Sequence, residues 1–436
     1  MEQLAGKQNI RRPIVALLTA GRDQPYAFGL ATALIDRRLT MDLITGDELD
    51  LPFLRDRPGM NLLNFRGDQR PEVDLITRIS RVSLYYYKLI RYALTSPAPI
   101  FHILWNNKFE TFDRTLLTLF YRLLGKKVVL TAHNVNAARR DAKDTVLNRL
   151  TLRVQYHLAD QIFVHTEEMK REMIGEFGIC DSRITVIPFG INNAVPNTAL
   201  SSAEAKRWLG IREDERVLLF FGRITPYKGL EYLIAAFRQA AARGGNHRLI
   251  IAGRPDRREE YWSRIRADID SEVKEGRILL LAGFIPDEDI EVYFKAADAL
   301  VLPYRDVYQS GVIFLGQSFG LPVLAADVGS LKDDIQEGKN GYLFRPEDPQ
   351  GLAAAIDQYF ASNLYANLDS LRPVIRGQAA ALHSWELVSQ MTMSVYAHLL
   401  HLQVADAPHI SPNVDSPERT NETPVSASAS LPTLVE

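Results

Sequence analysis

Two cations five positions apart, Arg223 and Lys228, lie in Gly222-Arg223-Ile224-Thr225-Pro226-Tyr227-Lys228-Gly229, directly after the strand-length run Arg216–Phe221. Gly222 allows close backbone approach, and a helix begins after Gly229. Cations grouped at a helix start bind phosphate or diphosphate. A second segment, Gln309-Ser310-Gly311-Val312, follows the run Ala299–Pro303 and opens a mostly apolar helix ending near Phe319. Ser310 can cap that helix or donate to an anion, and Gly311 lets backbone N–H groups face a ligand. Each segment alone also has a plain reading: solvated surface charges, and a serine N-cap. Their common place at strand ends favours one anion site, with Arg223 and Lys228 both partly exposed in a cleft. His133, with Asn134, follows a third run, Lys127–Ala132. It either hydrogen-bonds a substrate or shapes a turn.

Such residues need rigid supports. Short apolar runs alternate with helical stretches along most of the chain. Pro13–Thr19, Met41–Thr45, Pro99–Trp105, Lys127–Ala132, Gln161–His165 and Arg183–Phe189 read as buried strands. After the polar segment Gly190–Ser202 the alternation restarts with Arg216–Phe221, Arg248–Ala252, Arg277–Leu281, Ala299–Pro303 and Pro322–Ala325. The second set has helices predicted over Leu230–Arg243, Arg258–Lys274, Asp287–Ala297, Gln309–Phe319 and Gly351–Phe360. Continuous apolar strands alternating with helices imply parallel sheets covered on both faces. The fold class is therefore α/β, with two doubly wound, Rossmann-like parallel-sheet domains. Their expected limits are 12–190 and 203–365. A further helix is expected over 384–402, and a disordered tail over 406–436, which is rich in Ser, Pro, Thr and Val.

These motifs carry a resemblance. GRITPYKG, the later VLPYRDVYQSGVIFLGQSFGLPVLAADVGSLKDDI, and VVLTAHNVN and ITVIPFGIN in the first half resemble a family 4 (group 1) glycosyltransferase of the GT-B fold. The resemblance covers about residues 12–402. It implies two domains facing across a cleft, with a nucleotide-diphosphate sugar as co-substrate held mainly by the second. It implies that helix 384–402 returns to the first domain. By the family's pattern Arg223 and Lys228 clamp the diphosphate, with Gly222, Gln309, Ser310, Gly311 and Val312 completing its cradle. His133 faces the donor sugar, and Gly21 marks the loop near the reacting carbon, although the usual paired glycines are absent. Gly253 and Ile285 border the base. The implied reaction is retaining, independent of metal or other cofactor, and directed to an acceptor hydroxyl in polysaccharide or glycoconjugate synthesis. The chain departs from the family at the usual pair of glutamates, where Val307 and Leu315 stand. It resembles a subgroup reading Gln-Ser-Gly-Val. That departure motivates an alternative, a non-catalytic sugar-nucleotide-binding scaffold or regulatory subunit; a GT-B epimerase is a third reading.

On the acceptor side the candidates are Asn106 and Asn107 after the third strand, and Asp141, which has a salt bridge to Arg139 or Arg140 as its competing role. The acceptor is a saccharide, a lipid-linked sugar or a small molecule. The 436 residues carry 51 Lys and Arg against 53 Asp and Glu, without the global basic excess of a nucleic-acid binder. Residues 1–150 hold 23 Lys and Arg against 15 Asp and Glu, which points modestly to an anionic partner. Cys180 is the sole cysteine, so neither an intrachain disulfide nor a cysteine zinc cluster forms. A signal peptide or membrane span is not expected, which suggests a cytoplasmic protein, with peripheral membrane association as an option. The stretch Asp74–Leu94 combines Arg78, Arg81, Lys88 and Arg91 with apolar and aromatic residues. It reads as a domain helix packed on the sheet in preference to one lying on an anionic membrane.

Overall fold

Strands with no polar alternation must be buried on both faces, and the chain builds two sheets that meet this demand. A computed structural model describes residues 14–67, 75–141, 143–192, 195–256 and 259–401. The first sheet contains β1 (Val15–Leu18), β2 (Met41–Thr45), β3 (Met60–Asn64), β4 (Ile100–Ile103), β5 (Lys127–Thr131), β6 (Gln161–Val164) and β7 (Ile184–Val186). Its strands are parallel, in the order β3-β2-β1-β4-β5-β6-β7. The second contains β8 (Arg216–Phe221), β9 (His247–Ala252), β10 (Ile278–Leu281), β11 (Ala299–Leu302), β12 (Val323–Ala326) and β13 (Gly341–Phe344), in the order β10-β9-β8-β11-β12-β13. Every residue of β1, β4, β6, β11 and β12 is buried. Each domain has an apolar core on both faces of its sheet. This is the two-domain, Rossmann-like GT-B arrangement.

The strand order reverses between β1 and β4, and between β8 and β11. A ligand crevice opens beyond the carboxyl ends of strands at such points. The loops after β1, β4, β5, β8 and β11 are the ones that carry the candidate chemistry.

Two strands and several helices, among them Ser202–Trp208 and Leu368–Leu382, lie outside the sequence expectations. β3 and β13 occupy edges, and the helix Leu368–Leu382 contains Pro373. That helix, past the limit expected at 365, belongs to the second domain. It packs on the helix Gly311–Ser318, and Arg372 donates to the Ala297 carbonyl at 2.6 Å. The helix expected over 258–274 is broken at Ile269 into Glu259–Asp268 and Asp270–Lys274. The final helix, Trp385–Leu399, packs on the first domain's Gln24–Asp36, as the resemblance implied. The basic helix Leu75–Thr95 buries Tyr85, Leu89 and Ala93 in the first-domain core, so one face is committed to the sheet. Tail residues 406–436 lie outside the described residues.

Candidate active site

The second domain assembles a cationic recess. Gly222 leaves β8 at φ +103°, a left-handed conformation that favours glycine. A Cβ there would stand 2.9 Å from Lys228 Nζ and 3.5 Å from Val312 Cγ2. The missing side chain therefore makes room for the lysine, and three elements converge on that point: the end of β8, the turn Pro226–Lys228 and the start of helix Gly311–Ser318. Gly253, after β9, closes the back, since a Cβ there would overlap the Gly222 carbonyl oxygen at 1.8 Å. Ile285 is half-buried against the second-domain core, on the loop after β10.

Lys228 differs from expectation. It is buried, 7% exposed, while Arg223 is exposed. The cause is local: the turn folds the lysine back over Gly222 and across the Tyr304 ring, 5.1 Å from its centroid. Burial, then the neighbouring Arg223 and Arg140, push the Lys228 ammonium below its ordinary pKa, partly offset by Tyr227. Among the described residues no carboxylate pairs with it. A buried ammonium without a counter-ion is costly, and a bound anion removes that cost.

The helix start beside it is uncapped. Ser310 occupies the N-cap position, but its hydroxyl makes no capping bond and lies 3.4 Å from the Tyr304 hydroxyl. The first amides, at Gly311 and Val312, thus lack the side-chain acceptor that would normally satisfy them. Gln309 Oε1 is buried without a partner. Val307 and Leu315, which replace the glutamates, are each 5% exposed and sit in the apolar core.

The first domain brings a ring cluster to the opposite wall. His133 follows β5 and stacks on Trp105, which follows β4, at 3.9 Å between centroids and 5° between planes. Tyr26 meets His133 edge-on at 4.6 Å. His133 Nδ1 is 3.1 Å from Nε2 of His165, and His165 Nδ1 is 3.3 Å from the Ile187 carbonyl oxygen. A carbonyl only accepts, so His165 carries its proton on Nδ1 and accepts at Nε2. His133 must then donate from Nδ1, which leaves a lone pair on its Nε2, a buried atom with no partner. Burial pushes His165 down to about 4 and His133 well below its ordinary value, with His165 and His102 adding to the latter. Both rings are neutral at pH 7.

The walls touch. Phe189 lies 6.2 Å from His133, and a Cβ on Gly311 would come within 3.1 Å of Phe189. Arg140, at the end of the short helix Ala137–Arg140 that follows His133, sits over the Tyr227 ring at 4.5 Å and also holds Asp141 at 3.0 Å. The Tyr308 hydroxyl donates to Glu172 across the cleft at 2.9 Å. Sequence reasoning placed Arg140 only with the acceptor candidates. It missed His165, although a strand-end search after β6 would have reached it.

The other candidates are less free. Asn106 exchanges two amide hydrogen bonds with Gln155, at 3.1 and 2.7 Å. Asn107 Oδ1 accepts from the Tyr85 hydroxyl at 2.5 Å, and its backbone N–H donates to Asp113 at 2.7 Å. Gly21 lies after β1 at φ +63°, beneath Glu48, whose Oε1 would be 2.6 Å from a Cβ there.

With this geometry in place, known proteins give a consistent comparison. The model described as Glycosyltransferase Family 4 matches residues 25–195, and that described as Glycosyl transferases group 1 matches residues 215–362. The chain carries one domain of each of these glycosyltransferase families. The two matches flank residues 196–214, which join the domains. A D-inositol 3-phosphate glycosyltransferase of Thermobispora bispora is 29% identical over 273 residues, 61% of this chain and 62% of that one. An uncharacterized glycosyltransferase of Methanocaldococcus jannaschii is 27% identical over 241 residues, 54% of this chain and 59% of that one. The chain thus spans about three-fifths of the length of these curated relatives. Among solved structures, sucrose-phosphate synthase of Thermosynechococcus elongatus superposes with a TM-score of 0.71 at 20% identity, covering 90% of this chain and all of that one. HepE of Anabaena, solved with UDP-glucose, gives 0.67 at 17% identity, covering 89% and 100%. At these identities the likeness establishes the fold.

The histidine chain makes a prediction of its own. Nitrogen-15 spectra of histidine-labelled protein at pH 7 should show His133 and His165 neutral and protonated on Nδ1. His165→Leu should alter the His133 signals. Depressed folded-state pKa values mean that the unfolded chain binds more protons below about pH 6.5, so stability should fall as pH drops from there. His133→Phe, which keeps the stacked ring but removes the acceptor, should lower kcat about 2–10-fold, one neutral hydrogen bond's worth. A His133 imidazole protonated on Nε2 at pH 7 contradicts the assignment.

Proposed function

We propose that the chain transfers a sugar from a nucleotide-diphosphate donor to an acceptor hydroxyl. The observation that carries this reading is Lys228: a buried, unpaired ammonium beside a glycine-made opening and an uncapped helix start. When the glycosidic carbon–oxygen bond breaks, negative charge grows on the leaving diphosphate. Lys228, Arg223 and the amides at Gly311 and Val312 stabilise that charge where it develops. The diphosphate leaves without a proton, which suits a site whose opposite wall presents a neutral imidazole, His133. His133 Nε2, a lone-pair acceptor, takes a hydrogen bond from a sugar or acceptor hydroxyl. Retention of anomeric configuration, independence of metal, and a role in polysaccharide or glycoconjugate synthesis follow from the family resemblance. Ribose recognition through a carboxylate at position 307 or 315 is not part of this reading.

The donor test is a thermal-shift panel of UDP-, GDP- and ADP-glucose, with and without magnesium. UDP-glucose heads it because the Anabaena neighbour was solved with that ligand. A donor at a hundredfold its Kd stabilises the native chain by about 2.7 kcal/mol. We expect one base to give that shift with or without metal, and release of nucleoside diphosphate when an acceptor is added, polyol phosphates among those tried. Silence from every donor would sink the reading. A shift without turnover on any acceptor would leave a sugar-nucleotide-binding scaffold.

A further inference from the structure

The segment that leads into the uncapped helix is anchored in both domains. It runs from the end of β11 to Gly311. Val307 belongs to the second domain. It is buried in that core, and its carbonyl oxygen would stand 1.7 Å from a Cβ on Gly329. Tyr308, the next residue, is held by the first domain. Its ring packs against the first-domain core, and its hydroxyl donates to Glu172 at 2.9 Å. The same hydroxyl lies 3.5 Å from the Asn136 carbonyl oxygen, on the loop that carries His133. Adjacent residues are thus fixed in different domains.

The first-domain end of this tie is firmly built. Glu172 lies on the helix Glu167–Phe177, which buries Met169, Met173 and Phe177 in the core. Its carboxylate is only 15% exposed and also holds Arg139 at 3.4 Å. Asn136 is buried and caps the helix Ala137–Arg140. A hydroxyl that donates to an ionised carboxylate makes a stronger bond than a neutral pair does. The other end is short. From Tyr308 to Gly311 the chain takes three Cα steps, about 11 Å at full stretch. Within that span the Ser310 carbonyl accepts from the Ile313 amide at 3.2 Å, which sets the first turn of the helix. Gln309 and the amides at Gly311 and Val312 therefore follow wherever Tyr308 is held.

We propose that Tyr308 is a positioning residue: by bonding Glu172 it makes the order of the anion cradle in the second domain depend on a carboxylate of the first. The tie itself is a property of the donor-free chain. Only its consequence for donor binding rests on the function proposed above, so the two have separate readouts.

The test is amide hydrogen exchange of the donor-free full chain over residues 308–313, where protection reports the local opening equilibrium. Tyr308→Phe, which keeps the ring, should lose about tenfold of that protection, the lower end for one hydrogen bond to a charged group. Glu172→Ala, a change in the other domain, should lose as much at the same residues. The double variant should lose no more than either alone. Glu172→Gln, which still offers an oxygen, should keep most of the protection. The strand Val323–Ala326 should exchange as before in every variant, which shows that the second domain is intact. In a second arm the donor that binds the unmodified chain, UDP-glucose tried first, is titrated, and Glu172→Ala should weaken it about tenfold. An unprotected segment in the unmodified chain, protection that Glu172→Ala leaves unchanged, or additive losses in the double variant would each overturn the tie. Lost protection with unchanged donor affinity would overturn its role in ordering the cradle. If no donor binds the unmodified chain, the donor reading fails, and the exchange result decides the tie without it.

Discussion

Replacing Lys228 with methionine should abolish nearly all turnover while leaving the unliganded chain at least as stable as before. The two halves of that result have one cause. Lys228 is buried, its pKa is lowered chiefly by that burial, and among the described residues it has no carboxylate partner. Without a bound donor the fold therefore carries the cost of a desolvated charge. Methionine keeps the stem that crosses Tyr304 and drops the charge. In the transition state the same ammonium faces a developing diphosphate, and deletion of one preorganised donor of this kind removes about 3–4 kcal/mol, or 10²–10³-fold in kcat. The donor-dependent thermal shift should vanish with it. Alkaline stability gives an independent readout. The ordinary lysine value is 10.5, and the folded-state value lies below it. Between the two, the unfolded chain binds more protons, so this group makes stability rise with pH. The methionine variant should lack that increment. A Lys228→Met enzyme with full turnover and an unchanged donor shift would remove the diphosphate site from this recess.

Much of this recess was legible in the sequence because glycine and charge are local signals. Gly222, Arg223 and Lys228 stand in one turn, and the strand-end rule places that turn at the crevice. The depth of Lys228 was not legible. Whether a loop lysine is solvated or folded back depends on the absence of a side chain at Gly222 and on the Tyr304 ring, which lies 76 positions away in the chain. His165 escaped for a similar reason: its importance lies in the nitrogen of His133, a partner on another strand. The missed strands share a different cause. β3 has one buried residue in five, and β13 opens on Gly341; both are short edge strands without the continuous apolar run that marks the central ones. Pro373 hid the helix Leu368–Leu382, since an internal proline removes a backbone donor and reads as a stop.

The crossing that joins the domains yields the second large prediction. The chain leaves the first domain through Phe189–Ile191 and returns through His383–Trp385. The two passes bind each other: the Ile191 amide donates to the His383 carbonyl at 3.1 Å, and the Trp385 indole donates to the Ile191 carbonyl at 2.6 Å. The indole fills a slot that only glycines leave open. A Cβ on Gly29 would stand 2.1 Å from it, and one on Gly190 2.5 Å. Tyr26, whose ring also meets His133, packs edge-on against it at 5.1 Å. Trp385→Ala should therefore cost about 3–5 kcal/mol, through a cavity too rigidly walled to collapse and an orphaned carbonyl. The loss should fall on the first domain. The second domain keeps its own core and its donor recess, so donor binding should persist at temperatures where the first domain has begun to melt, whereas turnover, which needs the whole first-domain wall opposite the diphosphate, should fail. Calorimetry should then resolve one transition into two, with only the later one raised by the donor. A single cooperative transition that shifts by less than about 1 kcal/mol would mean that the final helix is held by its other contacts, and that Trp385 does not couple the cleft walls.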